Sequence, residues 1–102
     1  MVALLKHYAA GPSGPDAMTR ARVELDHGSI GTQLVLEATF TYPDCQVGDP
    51  AFASLVSASL TAGLAYAGAR VVATNVMGIS LANVTTAAIN PAALSWDVAV
   101  LK

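Results

Sequence analysis

Two histidines, one cysteine and seven acidic residues are the side chains of this 102-residue chain best able to serve as base, nucleophile or metal ligand. A metal site or an acid–base pair needs such groups to converge at ligand spacing. His7 and His27 lie near opposite ends of two expected strands, and their spacing, with Asp26 beside the second, matches no ligand motif. A reactive thiolate needs an electropositive setting, whereas Cys45 stands in "PDCQVGD" next to Asp44. The serines include no G-x-S-x-G elbow. The glycine-rich "GPSGPD" has prolines where a phosphate cradle needs N–H donors. Glu24 and Asp26 share one face of an expected strand, the usual mark of a solvated face, and Asp49 is better placed as a helix cap than as a calcium ligand. No catalytic residue, metal or cofactor is expected, and an enzyme is disfavoured.

Composition narrows the classes further. Charged residues are 12% of the chain and apolar residues 54%, against about 25% charged in an average soluble protein. A small domain has much surface per volume, so a charge-poor one needs either a hydroxyl- and amide-covered surface or a partner over part of it. The net charge of −2 gives no long-range steering toward nucleic acid or an anionic membrane. Lys6, Arg20 and Arg22 could share a sheet face and bind nucleic acid weakly, but Glu24 and Asp26 sit on that face too. A single cysteine excludes an internal disulfide. The opening "MVALLKHYAAG" lacks a basic leader and reaches Lys6 after five apolar residues, so no secretory signal is recognised. The length fits one domain, residues 1–102.

The elements that would position these groups follow from periodicity. "VALLKHYAA" reads as a first strand. "TRARVELDH" alternates, with Ala21, Val23 and Leu25 on one side and Arg20, Arg22, Glu24 and Asp26 on the other. "QLVLEATFTY" alternates again, with Leu34, Leu36, Ala38, Phe40 and Tyr42 on one face. A loop over 27–32 would join these two as a hairpin and set Arg22 opposite Glu37. "RVVATNV" and "GISLANVTTAAI" look extended, Asn90-Pro91 breaks the run, and "ALSWDVAVL" reads as a last strand with Trp96, Val98 and Val100 on one face.

Between them, Asp49 and Pro50 predict a helix start and Gly68 a helix stop. Phe52, Val56, Leu60 and Leu64 recur at every fourth position, so the helix is expected over 50–67. Residues 51–69 are uncharged and long enough to cross a bilayer, yet they are mostly Ala, Ser, Thr and Gly with no Lys/Arg cluster at either flank. No membrane association is expected. The back of that helix, Ser54, Ser57, Ala58, Thr61 and Ala65, is small rather than charged, which fits a face covered by a second subunit.

The expected architecture is α+β, an antiparallel sheet of about five strands with one principal helix on a face. The expected function is a self-associating, non-catalytic structural subunit forming a homo-oligomer. In its small, Ala-, Thr- and Val-rich composition the chain resembles phage virion subunits such as capsid, decoration, neck or tail parts. That resemblance implies a virion or cytoplasmic location and other virion proteins as partners. Two alternatives remain: a small oligomeric enzyme or ligand-binding protein, with His7, Tyr8, His27, Tyr42 and Arg70 around a pocket between helix and sheet, and an RNA-binding coat protein.

Overall fold

Strict alternation along "LSWDVAVL" buries Leu94, Trp96, Val98 and Val100 and leaves the residues between them half-buried. A strand with one face so fully sealed must lie in the middle of a sheet, and it does. The computed structural model describes residues 18–56 and 60–101. Within them run β1 (Met18–Leu25), β2 (Val35–Thr41), β3 (Ala51–Leu55), β4 (Leu64–Ala73), β5 (Val76–Asn83) and β6 (Leu94–Leu101). They form two antiparallel three-stranded sheets, ordered β1-β6-β3 and β2-β5-β4. One apolar cluster draws on both sheets: Leu25, Trp96, Val98 and Val100 from the first, Val71, Met77, Ile79 and Leu81 from the second. This is the two-layer solution by which amphipathic sheets hide their apolar faces.

The fold is therefore all-β, and the expected α+β architecture is overturned. Among the described residues there is no helix, and so none long and apolar enough to cross a membrane. The stretch assigned to a helix over 50–67 is instead β3, a connection and the start of β4. Asp49 does not cap a helix; its Oδ2 accepts the Gln46 N–H at 3.0 Å while its own N–H donates to the Gln46 carbonyl, closing a tight turn. Pro50 follows at the strand entrance, and its carbonyl accepts the Leu101 N–H. Alanine explains the misreading. The fourfold repeat of Phe52, Val56, Leu60 and Leu64 coexists with a twofold pattern in which Ala51, Ala53 and Leu55 pack against the core and Phe52 and Ser54 face out. Pairing with β6 along Ala51–Leu55 decides between the two. Gly63 then sets the direction of the chain. Its φ is +87°, and a Cβ there would lie 2.6 Å from Thr85 Cγ2 and 2.8 Å from Ile89 Cδ1, so only glycine fits between the two loops.

The hairpin expected between the second and third strands does not form either. β1 pairs with β6, Arg22 opposite Asp97, and β2 pairs with β5, Glu37 opposite Ser80. Residues 26–34 carry the chain from one sheet to the other, as do 42–50 and 84–93, and β3 and β4 also lie in different sheets. Among the described residues the one tight hairpin joins β4 to β5 through Thr74 and Asn75, the latter at φ +63°. Asn75 also ties the β2–β3 connection to that turn: its N–H donates to the Cys45 carbonyl, its carbonyl accepts the Tyr42 N–H, and its Oδ1 accepts the Asp44 N–H at 2.8 Å. At the opposite end of β5, Asn83 is buried and spends all its hydrogen-bonding capacity. Nδ2 donates to the Ile30 and Ala87 carbonyls, and Oδ1 accepts from Thr85 N–H and Thr85 Oγ1. The strand expected at Val2–Ala10 lies outside the described residues.

Candidate functional site

Among the described residues each sheet carries one small ion-pair group on its outer face. On the first sheet Arg20, Arg22 and Glu24 of β1 stand in register with Ala99, Asp97 and Ser95 of β6, and Phe52 and Ser54 of β3 lie opposite Ala99 and Asp97. Arg22 grips Asp97 with Nε at 3.0 Å from Oδ1 and Nη2 at 3.5 Å from Oδ2, and Arg20 approaches the same carboxylate at 3.8 Å. Beside them a groove of about 410 Å³ is lined by Met18, Arg20, Phe52, Ser54, Asp97 and Ala99. On the second sheet Arg70 holds Glu37 bidentately at 2.8 and 2.9 Å. These two come from the outer strands, and Glu37 reaches across because β5 has glycine in between: a Cβ on Gly78 would lie 2.7 Å from the Glu37 carboxyl carbon.

Both pairs move the carboxylates in the same direction. The Arg70 hydrogen bonds hold Glu37 below its ordinary value of 4.5, against the opposing effect of burial. The Arg22 hydrogen bond does the same to Asp97, whose ordinary value is 3.8. A carboxylate whose value is lower folded than unfolded contributes stability that is present above the unfolded value and lost as pH falls through the folded one. The urea midpoint is therefore expected to hold from neutral pH down to about 5 and to decline below it. Arg22→Gln and Arg70→Gln should each flatten that decline. A midpoint that stays level well below pH 4, or a decline unchanged in both variants, contradicts these assignments. Exposed pairs of this kind contribute little to stability, so their larger part is to fix which residues face one another.

The residues singled out from the sequence do not converge. His27 is buried, with Nε2 2.8 Å from the Ile79 carbonyl, in the core rather than at a surface. Tyr42 is buried as well and shares a 2.6 Å hydrogen bond with Thr19 Oγ1. Arg70 is engaged on the outer face of the second sheet. These three thus serve separate parts of the fold, and the helix whose pocket they were to line is absent; His7 and Tyr8 lie outside the described residues. Cys45 is fully buried, its thiol donating to the Tyr42 carbonyl at 3.2 Å. Among the described residues no three of His, Cys, Asp and Glu stand together for a metal ion.

The expected subunit interface is dispersed with its helix. Ser54 faces outward on β3 of the first sheet, Thr61 lies in the connection, where its carbonyl accepts the Leu64 N–H, and Ala65 is exposed on β4 of the second sheet. Ser57 and Ala58 fall outside the described residues. Arg20 and Arg22 do share an exposed face, as expected, but Asp97 stands between them, and Lys6 lies outside the described residues.

Sequence reasoning missed two features. One is the set of sheet edges. β1 and β2 are edge strands, and a cleft of about 300 Å³ opens between them, lined by Thr19, Ala21, Val23, Phe40, Tyr42 and Val98. The other is the apolar run at the head of β2, where Leu34 and Val35 are 60% and 63% exposed and Leu36 is 36% exposed. The letters "LVL" were legible; what hid the run was the expectation that β1 would cover that edge. No protein-family model, no curated protein and no solved structure matches the chain.

Proposed function

We propose that the chain is a non-catalytic structural subunit that associates with copies of itself through the edges of its two sheets. One observation carries the reading: at the head of β2, an edge strand, Leu34 just before the strand and Val35 and Leu36 at its start form an exposed apolar run. Soluble monomers guard such edges with lysines, prolines or bulges, because an open edge with apolar side chains is a template for another chain. Within β2 there is no lysine, no proline and no break in register with β5. The low charge content supports the same reading, since a surface meant to stay apart from its copies ordinarily carries more like charge. The small-residue helix back gives no support, because that helix does not exist. The virion and capsid reading rested on composition; no finding supports a viral role, and the reading is not carried forward.

The test is the mass of the full chain in solution. Light scattering on a size-exclusion column should give a mass above that of one 10.4 kDa chain. A monomer at every concentration overturns the reading.

A further inference from the structure

We propose that the free edge of β1 pairs antiparallel with β1 of a second copy, about a two-fold axis at Val23, joining two three-stranded sheets into one of six strands. This rests on the self-association reading and names its surface. β1 pairs along its whole length with β6, and among the described residues no strand pairs with its other side. A strand so placed leaves alternate N–H and C=O groups pointing outward without ladder partners. Two of the remaining edges are guarded. β3 has five residues and is preceded by Pro50, and β4 has register breaks at Tyr66/Gly68 and Val71/Ala73. β1 has eight residues, no proline and no break. β2 is unbroken too, but its one charge, Glu37, is held by Arg70 and gives no pattern that selects a register.

The charges of β1 do select one. Its outer face reads Arg20, Arg22, Glu24, followed by exposed Asp26. Two paired copies must keep each side chain on its own face, so a symmetric register can shift the axis only from one residue to the next. An axis at Ala21 sets Arg20 against Arg22. An axis at Arg22 sets that residue against itself, and one at Glu24 does the same for Glu24. An axis at Val23 sets Arg22 opposite Glu24 and Arg20 opposite Asp26, each twice by symmetry, with no like pair. Opposite charges directly across a ladder are favourable, and like ones are unfavourable. On the inner face the same register puts Ala21 opposite Leu25, which continues the apolar layer. Glu24 has no ion pair among the described residues, and Arg20 has only the 3.8 Å approach to Asp97, so both can accept a partner from a second copy.

A charge exchange on the full-length chain tests this. Glu24→Lys sets two cations opposite each other, and Arg22→Glu sets two anions. Each variant alone should associate at least about 100-fold more weakly than the unmodified chain, because juxtaposed like charges cost several kcal/mol at an interface. Mixed in equal amounts, the two should recover association, since every facing pair is again of opposite sign. Far-UV circular dichroism and the thermal midpoint check that each variant folds. Should Arg22→Glu fail to fold beside Asp97, Asp26→Lys and Arg20→Glu make the same exchange. Glu24→Lys associating like the unmodified chain, or a mixture that stays monomeric, overturns this surface while leaving self-association standing. A monomeric unmodified chain whose outward β1 amides are protected from hydrogen exchange overturns both readings and assigns the edge to residues 1–17 of the same chain.

Discussion

Replacing Trp96 with alanine should lower the unfolding free energy by about 3–5 kcal/mol, the usual loss when a buried aromatic is truncated in a core. Trp96 is 2% exposed on the central strand of the first sheet. Val23 and Leu55 flank it in register, and the Tyr66 ring lies across the sandwich, 5.8 Å away centre to centre at 36°. Domains of this size have about 5–15 kcal/mol in all, so the variant should keep its fold with a much reduced reserve. Urea unfolding followed by far-UV circular dichroism checks it. The midpoint should fall with little change in slope. A loss under about 1 kcal/mol contradicts the placement of Trp96 between the sheets.

The second large effect concerns polarity rather than volume. Asn83→Asp preserves shape and should still lower stability by about 3–5 kcal/mol at neutral pH, the range for a buried charge without a partner. The Asn83 amide nitrogen faces two carbonyl oxygens, those of Ile30 at 3.0 Å and Ala87 at 2.8 Å. A carboxylate oxygen in that position is an acceptor against acceptors. Acidification should return part of the loss, because burial favours the neutral acid and a group raised in the folded state regains stability as pH falls. The residues that Asn83 ties down include the 26–34 connection, which carries Asp26 beyond the end of β1. The variant should therefore also speed hydrogen exchange at Ile30 and Ile89, whose N–H groups each donate to the other's carbonyl. A variant as stable as the parent at pH 7 contradicts the network.

Where alternation was clean, the sequence was legible. The inward sets Ala21, Val23 and Leu25, then Leu36, Ala38 and Phe40, then Trp96, Val98 and Val100 lie on one side of β1, β2 and β6 in turn. Two things were not legible, each for a physical reason. Alanine fits either periodicity, so residues 50–67 satisfied a helical stripe and a strand pattern at once, and only pairing with β6 chose between them. Partners were the harder question. Hairpins are the local default, but here the chain crosses between layers at most connections. Arg22 consequently finds Asp97, 75 residues along, rather than Glu37, and Glu37 finds Arg70 across the gap left by Gly78. The open edges follow from that same crossing. Had β1 and β2 formed the expected hairpin, each would have covered an edge of the other, and the charge pattern on β1 would have had nothing to select.

Self-association is the claim on which the functional account stands, and sedimentation equilibrium of the full chain addresses it without a variant, a label or a surface. Over about a hundredfold range of concentration, the mass should rise from that of one chain toward a whole-number multiple of 10.4 kDa, a dimer if β1 pairs as proposed. A single mass of 10.4 kDa across the whole range would contradict it.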